Sequence, residues 1–416
     1  MASNWMSSNL NVLGKQKIEH IMFPGSHDSG MSRHGKHTTF GTPSVTLTQT
    51  KTIKEQLRLG IRYFDVRLDI SQGKYFCGHY TKIDGVPTSA LIGMGVLGPP
   101  PVKALALALK AAFPRWEGAC GESLQEIIQG INEFLKENKE LVVLDISGYG
   151  GFAVDEQCRD FTQMEWTNLF KELQGIEKLY RPKDADRNKK LKDLQLDELI
   201  SSSSGACVVI NHWRGEKYVG GYDLKGIFPR SSWGENEPPM IKWSKELTDG
   251  AVFLALAKEA IGGSGYNIIM QFWNAWPGFM KTASLKSFFD PMAKADGEEW
   301  YKVSIIDGAK SRNKSLPQYL KDFAKTTAAL RDSGTKFPTV FMTAPDDYRA
   351  IVIDAVEDTN LADGCLAINM ERAKKKVARQ DDEISTGADA LTWDTPIESR
   401  PSSSQALEAF YKRIAC

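Results

Sequence analysis

Residues 23–30 read Phe-Pro-Gly-Ser-His-Asp-Ser-Gly and directly follow the short strand-like run Ile18–Met22. The run predicts a strand, and the Pro-Gly-Ser that follows predicts a turn at its carboxyl end. An imidazole, a carboxylate and a hydroxyl then stand at one strand end, where barrel enzymes carry their catalytic groups. His27 can move protons near neutral pH, and Asp28 can hold its tautomer and change its pKa. A turn histidine bonded to the backbone is the alternative, so the catalytic interpretation requires a second histidine.

Two later segments supply that histidine and a set of charges. Residues 61–70 alternate as a strand whose charged face carries Asp65 and Arg67. In a closed parallel barrel this face points inward or towards the mouth, where charges need partners or a function. Residues 74–80 predict a second strand, which ends in Gly-His and so places the second imidazole, His79, at a strand end.

The rest of the chain alternates helix-like and strand-like segments. An amphipathic helix at 122–139 precedes a buried strand at 141–146, and further strands are predicted at 206–211, 267–273 and 350–354. The candidate residues at the carboxyl ends of the strands are His27, Asp28, Asp65, Arg67, His79, Asp145, His212 and Asp354. Repeated units of this kind predict an α/β fold, a TIM-type (β/α) barrel that is distorted or incomplete.

The predicted barrel has an insertion and a tail. We predict a single barrel domain over residues 1–378, interrupted at 81–119 by an apolar segment rich in glycine and proline. This insertion is either a helical hairpin packed on the barrel or a lid or membrane-touching loop beside His79. Residues 379–416, rich in Ser, Thr, Asp and Pro at first, predict a wrapping tail that ends in a short helix packed on the barrel.

The composition excludes several classes of function. Lys+Arg and Asp+Glu both number 52 in 416 residues, and no basic patch typical of a nucleic-acid-binding protein is present. The six cysteines form neither a CxxC pair nor a Cys/His cluster, which argues against a zinc site. No apolar run is long enough to span a bilayer, so any membrane contact is expected to be peripheral. The absence of a visible signal peptide favours a cytoplasmic protein over a secreted one whose signal has been removed, and we expect a monomer.

Two histidines, an arginine and spare carboxylates make an acid/base pair with an anion clamp. Cleavage of a phosphodiester by a neighbouring hydroxyl needs this set. One imidazole removes the proton of the attacking hydroxyl, and the other donates a proton to the leaving alkoxide. The guanidinium holds the phosphoryl oxygens while charge builds on them.

Four motifs occur in a fixed order along the first third of the chain: PGSHDSG at 24–30, RYFDVR at 62–67, GH at 78–79 and NKELVVLD at 138–145. Together they resemble the X-domain of the phosphatidylinositol-specific phospholipase C superfamily, in its bacterial and fungal PLC-like phosphodiesterase branch. The resemblance implies that His27 is the general base, His79 the general acid and Arg67 the phosphate clamp. It further implies that Asp28 assists on the leaving-group side.

A fifth, shorter likeness concerns Asp354. Residues 352–354, Val-Ile-Asp, resemble the late strand of this family whose aspartate orients the base, which would make Asp354 the partner of His27. The alternative is a carboxylate that caps a helix or bonds a loop after the strand. Both interpretations place Asp354 at a strand end.

The resemblance also bears on metal binding. Calcium-dependent relatives surround the phosphate with several carboxylates, because hard cations need clustered oxygen ligands. The corresponding positions in this chain are Asp28, Asp65, Arg67 and Ser147. A cation in the middle of such a site repels a metal ion and can replace its charge. We therefore predict that no metal and no other cofactor is required.

Departures from the family pattern concern the substrate. The bacterial phosphatidylinositol enzymes usually place an arginine where this chain has His212, and an aspartate and a tyrosine near residues 272–274, which are Phe-Trp-Asn here. The change predicts a different or less polar head group. His212 is either a substrate ligand or a core histidine bonded to backbone. The predicted substrate-binding residues are Asp65, Asp145, His212, Trp213, Trp273 and Asn274.

The sequence thus predicts a metal-independent PLC-like phosphodiesterase that acts on phosphatidylinositol or a related head group and forms a cyclic phosphate first. Two alternatives stay open. The same barrel could act on a phosphodiester without inositol or on another small molecule. It could also be a catalytically silent module that binds a lipid or head group.

Overall fold

The computed structural model describes residues 2–38, 43–83, 115–148, 161–183, 189–211, 219–222, 225–233, 267–270, 348–357 and 359–385, with single positions between 306 and 316. The chain divides into two compact units, Met1–Lys374 and Lys375–Cys416. All strands and candidate residues discussed below lie in the first unit. Among the described helices, none has the length and apolar composition that crossing a membrane requires.

One sheet organises the first unit. Its strands are β1 Phe23–Ser26, β2 Tyr63–Ser71, β3 Lys74–Ile83, β4 Arg115–Ser123, β5 Leu141–Gly148, β6 Ala206–Asn211, β7 Ile227–Pro229, β8 Asn267–Met270 and β9 Tyr348–Ile353. Seven of them are parallel neighbours in the order β7-β6-β5-β2-β1-β9-β8. Within the described part of the chain the sheet does not close. The predicted fold class, an α/β fold of the TIM-type (β/α) barrel that is distorted or incomplete, is confirmed.

The helices are α1 Leu10–Leu13, α2 Pro43–Thr46, α3 Ile53–Arg58, α4 Leu124–Glu137, α5 Gln163–Leu173, α6 Leu196–Leu199, α7 Arg230–Trp233 and α8 Leu361–Ser385. The helix predicted at 122–139 is α4, which begins after Ser123 because the Ser123 side chain and Glu126 form a capping box. The predicted boundary at residue 378 lies within α8, and residues 386–416 lie outside the described part. The domain organisation therefore stays a prediction.

Three expectations about the strands were wrong. Residues 18–20 form a 3-10 helix, and the strand is Phe23–Ser26, inside the motif itself. Pro24 is tolerated there because its carbonyl still accepts a hydrogen bond from the Arg62 backbone N–H at 2.9 Å. The sheet is mixed, since β3 runs antiparallel to β2 and β4 antiparallel to β3. Both ends of the predicted insertion 81–119 belong to this hairpin, and residues 84–114 lie outside the described part.

The alternation of β2 divides its side chains between two faces, as predicted. Phe64, Val66 and Leu68 belong to the cluster that packs the sheet against the helices. Tyr63 belongs to a second cluster on the opposite face, together with Phe23. We call this second side the interior face. Because side chains alternate along a strand, Asp65 and Arg67 share the interior face with Tyr63.

Arg62, at the start of β2, is fully buried and forms an ion pair with the equally buried Glu140 at 3.0 Å. Its guanidinium also donates to the carbonyl oxygens of Leu57, Ile61 and Ser3. Glu140 in turn accepts from the backbone N–H of Ser7 at 2.8 Å. This pair ties the N-terminal segment to the amino ends of the central strands, at the end of the sheet opposite the catalytic candidates.

Candidate active site

His27 and Asp354 directly follow the carboxyl ends of two neighbouring parallel strands. Ser26 of β1 lies opposite Ile353 of β9, so the residues that follow them emerge together at the carboxyl ends. The His27 Nδ1 atom is 2.8 Å from Asp354 Oδ1, and both side chains are buried. Since a carboxylate oxygen accepts, Nδ1 carries the proton and Nε2 faces the rest of the site. The structure thus brings Asp354 to the imidazole that the resemblance assigned to it.

Asp28 sits between the two imidazoles. Its Oδ2 atom lies 3.4 Å from His27 Nε2 and 3.8 Å from His79 Nε2, and its side chain is fully buried. The backbone of Asp28 has φ of 42°, in the left-handed region that side chains other than glycine rarely adopt. Such strain persists where surrounding bonds enforce it. Here the Met31 N–H donates to the Asp28 carbonyl at 2.9 Å.

Arg67 crosses the site from β2. Its Nη2 atom lies 2.8 Å from Asp65 Oδ2, and its Nε lies 2.9 Å from Asp28 Oδ1. Nη2 is also 2.8 Å from His27 Nε2. A guanidinium can only donate, so in this contact His27 Nε2 accepts and the imidazole is neutral with its proton on Nδ1. The Arg67 side chain is 22% exposed, more than the other charged side chains around it, and therefore lines the opening.

His79 reaches the site from within β3, so its predicted place at a strand end was wrong. The Nδ1 atom donates to the Thr46 carbonyl at 2.9 Å, which leaves Nε2 directed towards Asp28. The antiparallel turn of β3 back along β2 brings the imidazole over the mouth. Gly30 makes this approach possible, because a Cβ there would lie 2.1 Å from the Sγ of Cys77 on the same strand.

Residues 46–49, which we call the bracing segment, hold both halves of the site. Besides the bond from His79 to Thr46, the Thr48 hydroxyl donates to the Asp28 carbonyl at 3.0 Å. The Thr48 carbonyl accepts from the Ala355 N–H at 2.8 Å, directly after Asp354. One short stretch of chain therefore positions the turn of Asp28, the strand end of β9 and the ring of His79.

Gln49 completes the bracing segment. Its fully buried amide nitrogen donates to the carbonyls of His27 at 2.9 Å and of Ile353 at 3.0 Å. Its amide oxygen accepts from the Val356 N–H at 3.2 Å. In the sequence this stretch ends a segment rich in Ser, Thr and Gly, residues 32–49, whose composition is typical of a surface loop. No residue type in it signals these bonds, because they join side chains to distant backbone groups.

The site perturbs the proton affinities of both histidines. Burial lowers the pKa of His27, but the carboxylates of Asp28 and Asp354 outweigh it, so that the pKa lies above its usual value. Burial dominates at His79 and lowers its pKa. Burial opposes ionisation of Asp65, yet Arg67 and His27 hold the pKa of that carboxyl below its usual value.

Asp145 lies on the interior face of β5, opposite Asp65 in the register. It stands within the strand Leu141–Gly148, not at its end as the sequence indicated. The Tyr63 hydroxyl donates to its carboxylate in a short hydrogen bond, and burial raises the pKa of that hydroxyl. Tyr63 therefore stays a donor. The other predicted substrate ligands, His212, Trp213, Trp273 and Asn274, lie outside the described residues.

One cluster in the described part of the chain has the spacing of a metal site. Ligand atoms of His27, Asp28 and Asp65 all lie within 4.8 Å of one another. The guanidinium of Arg67 already contacts both carboxylates at 2.8 and 2.9 Å. A divalent ion would therefore have to share this space with a fixed cation. The donor set fits a metal poorly as long as Arg67 stays in place.

Comparison with known proteins gives three similarities. No model of a known protein family matches the chain. A PI-PLC X-box domain-containing protein of Dictyostelium discoideum is 29% identical over 94 residues, which cover 20% of this chain and only 13% of that protein. A variant of the phosphatidylinositol-specific phospholipase C of Staphylococcus aureus is 14% identical with a TM-score of 0.45, over 89% of this chain and 96% of the other.

The phosphatidylinositol-specific phospholipase C of Listeria monocytogenes is also 14% identical, with a TM-score of 0.43 over 89% of this chain and 98% of the other. At these values, the two structural similarities add nothing to what the side chains show. The Dictyostelium protein is named for the same domain that the motifs indicated. The resemblance of this chain to the phosphatidylinositol-specific phospholipase C X-domain superfamily is confirmed.

Proposed function

We propose that the protein is a metal-independent, PLC-like phosphodiesterase. It cleaves a phosphodiester by attack of a neighbouring hydroxyl and forms a cyclic phosphate first. One observation carries the proposal: two buried imidazoles share the carboxylate of Asp28, and a guanidinium lies 2.8 Å from one of them. Phosphatidylinositol is the first substrate to test, because the motifs resemble enzymes specific for it.

His27 is the general base. Its Nδ1 proton is held by Asp354 at 2.8 Å, so the lone pair lies on Nε2. In the structure this lone pair accepts from Arg67, and it becomes available to the attacking hydroxyl when that guanidinium N–H turns to the phosphate. When Nε2 takes the proton, the Asp354 carboxylate stabilises the imidazolium that forms. The fixed tautomer also orients the ring, since rotation would break the bond to Asp354.

Arg67 holds the phosphate. Its guanidinium lines the opening and is kept in place by Asp65 and Asp28 on its two sides. Phosphoryl oxygens can accept from it as charge builds on them in the transition state. When substrate binds, the contact of Nη2 with His27 is exchanged for a phosphoryl oxygen, while Asp28 and Asp65 keep the guanidinium in place.

His79 is the general acid. With Nδ1 donating to the Thr46 carbonyl, a proton on Nε2 faces the same space as Asp28 and Arg67. It passes to the leaving alkoxide, and Asp28 stabilises the charged ring before transfer. The two imidazoles thus act on the two oxygens that change partners at phosphorus.

The pH dependence follows from the two shifted pKa values. Turnover needs His27 deprotonated and His79 protonated, whereas the pKa of His27 is raised and that of His79 is lowered. Because the base then has the higher pKa, kcat/KM rises with pH up to the pKa of His79 and falls above the pKa of His27. Asp354→Asn removes a carboxylate that raises the pKa of His27. The falling limb is therefore expected to move to lower pH, as measured by kcat/KM profiles.

NMR titration of the His27 ring in the same variant gives a check that does not need turnover, and its pKa is expected to fall. Asp363→Asn removes an exposed carboxylate from α8 and serves as the control, with an unchanged profile. A falling limb and a His27 pKa that both stay in place in Asp354→Asn would contradict the pairing.

The proposed function is tested by phosphorus NMR of the products. Phosphatidylinositol, a lysophosphatidylcholine and a glycerophosphodiester are each incubated with the protein, with and without EDTA. We expect a cyclic phosphate from phosphatidylinositol at the same rate in both conditions. Loss of turnover with EDTA would refute metal independence, and cleavage of another diester alone would favour the same barrel with a different substrate. Binding of the lipid without any product would favour a silent binding module.

A further inference from the structure

A second guanidinium is buried near the carboxyl ends of the parallel strands. Arg230 directly follows β7, and the residue is 8% exposed. Its Nη1 atom is buried and has no hydrogen-bond partner in the described part of the chain. Among the residues that the structure describes, no carboxylate lies within ion-pair distance of it. Burying a guanidinium in this way is costly unless another group supplies the missing contacts.

The register of the strands places Arg230 level with Arg67. Ile146 of β5, Asn211 of β6 and Pro229 of β7 lie opposite one another in the sheet register and form one line across these three strands. Ser147 and Arg230 each stand one residue beyond that line. Arg67 lies directly opposite Ser147. The two arginines therefore belong to the same layer at the carboxyl ends of the strands.

Arg230 also lies near residues of the interior face. Phe228, two residues earlier on the chain, packs in the interior cluster with Tyr63. Arg230 itself is the first residue of α7, directly after this strand. The charge of Arg230 acts on the Tyr63 hydroxyl, where it opposes the larger effect of burial on the pKa. The guanidinium is thus near enough to the hydrogen-bonded pair of Tyr63 and Asp145 to act on it.

We infer that Arg230 binds a second anionic group of the substrate, so that the head group carries a phosphate monoester or a carboxylate besides the scissile phosphate. The inference rests on the proposed function, which puts the scissile phosphate at Arg67. Three strand spacings separate the two arginines, or about 14 Å along the sheet, and two long arginine side chains can span part of this gap. Guanidinium groups recognise carboxylates and phosphates through paired N–H donors.

This inference differs from the expectation of a less polar head group, which came from residues 212 and 272–274. Those residues lie outside the described part of the chain, whereas Arg230 lies inside it. Within the described residues, a buried guanidinium with an unpaired Nη1 on the recognition side favours a ligand with more negative charge. The scissile phosphate alone cannot satisfy both arginines across that separation.

Titration calorimetry with two matched pairs of soluble probes tests the inference. Inositol 1-phosphate is compared with inositol 1,4-bisphosphate, and phosphoethanolamine with phosphoserine, which differs from it by one carboxylate. We expect the more anionic member of at least one pair to bind about 10-fold more tightly or better. The pair that shows the preference identifies the phosphate or the carboxylate as the second group. Equal affinities within both pairs, or no binding of any probe, would overturn the inference.

Arg230→Met is expected to reduce that preference to about two-fold or less, whereas Arg58→Met, which removes an exposed arginine, keeps it. A preference that survives in Arg230→Met refutes the inference. Thermal unfolding separates binding from a structural role: without ligand, Arg230→Met is expected to be at least as stable as the parent. If it does not fold, Arg230→Lys keeps the charge without the fork and is expected to lower the preference. The titration needs no turnover, so a failure of the proposed catalysis leaves this result readable.

Discussion

His27→Ala and His79→Ala are each expected to lower kcat/KM for phosphatidylinositol by about 10²- to 10⁴-fold, the usual contribution of a positioned acid or base. Each imidazole handles a different proton, and no other described histidine contacts Asp28. His37→Ala is the matched control, since it removes an exposed imidazole and is expected to keep full activity. Circular dichroism and thermal unfolding establish that the three variants fold.

A change of leaving group separates the two roles. A phosphodiester that releases a nitrophenolate needs little protonation, so His79→Ala is expected to recover much of its lost rate on it. His27→Ala still lacks the base and is expected to stay slow on both substrates. Recovery in His27→Ala and not in His79→Ala would show that the two roles are exchanged, and full activity of both variants would refute the mechanism.

Arg67→Lys is expected to lose about 10²- to 10³-fold in kcat/KM, in the range seen when one preorganised donor to a developing oxyanion is removed. Lysine keeps the charge but cannot contact Asp28, Asp65 and a phosphoryl oxygen at once, because it lacks the planar fork. The loss is expected mainly in kcat, since the contact strengthens as charge builds on the phosphate. Steady-state kinetics on the same substrate measure it.

Two further variants sharpen this prediction. Arg58→Lys, an exposed change of the same kind, is expected to have no effect. Arg67→Ala is expected to regain part of its activity when guanidinium ion is added, since the ion can occupy the space between Asp28 and Asp65. Activity of Arg67→Lys within about two-fold of the parent would show that charge alone suffices and that the fork has no role.

Local patterns predicted the parallel part of the sheet well. The apolar run at 141–146 and the alternation of β2 each encode a strand in adjacent residues, and both strands are present. The direction of pairing is not encoded in this way. β3 has the composition of any strand, and its antiparallel partner β4 begins more than thirty residues later, in a segment whose beginning looked like an insertion.

The residues of the candidate site also differ in how well local sequence patterns predict their positions. Asp65 and Arg67 lie two residues apart on one strand, so alternation alone places them together. Asp354 is distant in sequence from His27, and a resemblance was needed to connect them. Gln49 could not be identified from the sequence, because its partners are backbone carbonyls and leave no trace in residue types. Alternation also places Tyr63 on this face, but no local pattern indicates its bond to Asp145 on another strand.

The bracing segment has an implication for how such a protein can diversify. It fixes His27, Asp28 and His79 through backbone groups, from the β1 and β9 side of the sheet. Arg230 stands on the other side, at the end of β7. Under the inferred role of Arg230, mutations on the β7 side alter which substrates bind without disturbing the acid and base. Evolution can then change the substrate specificity of this barrel while the catalytic residues stay the same.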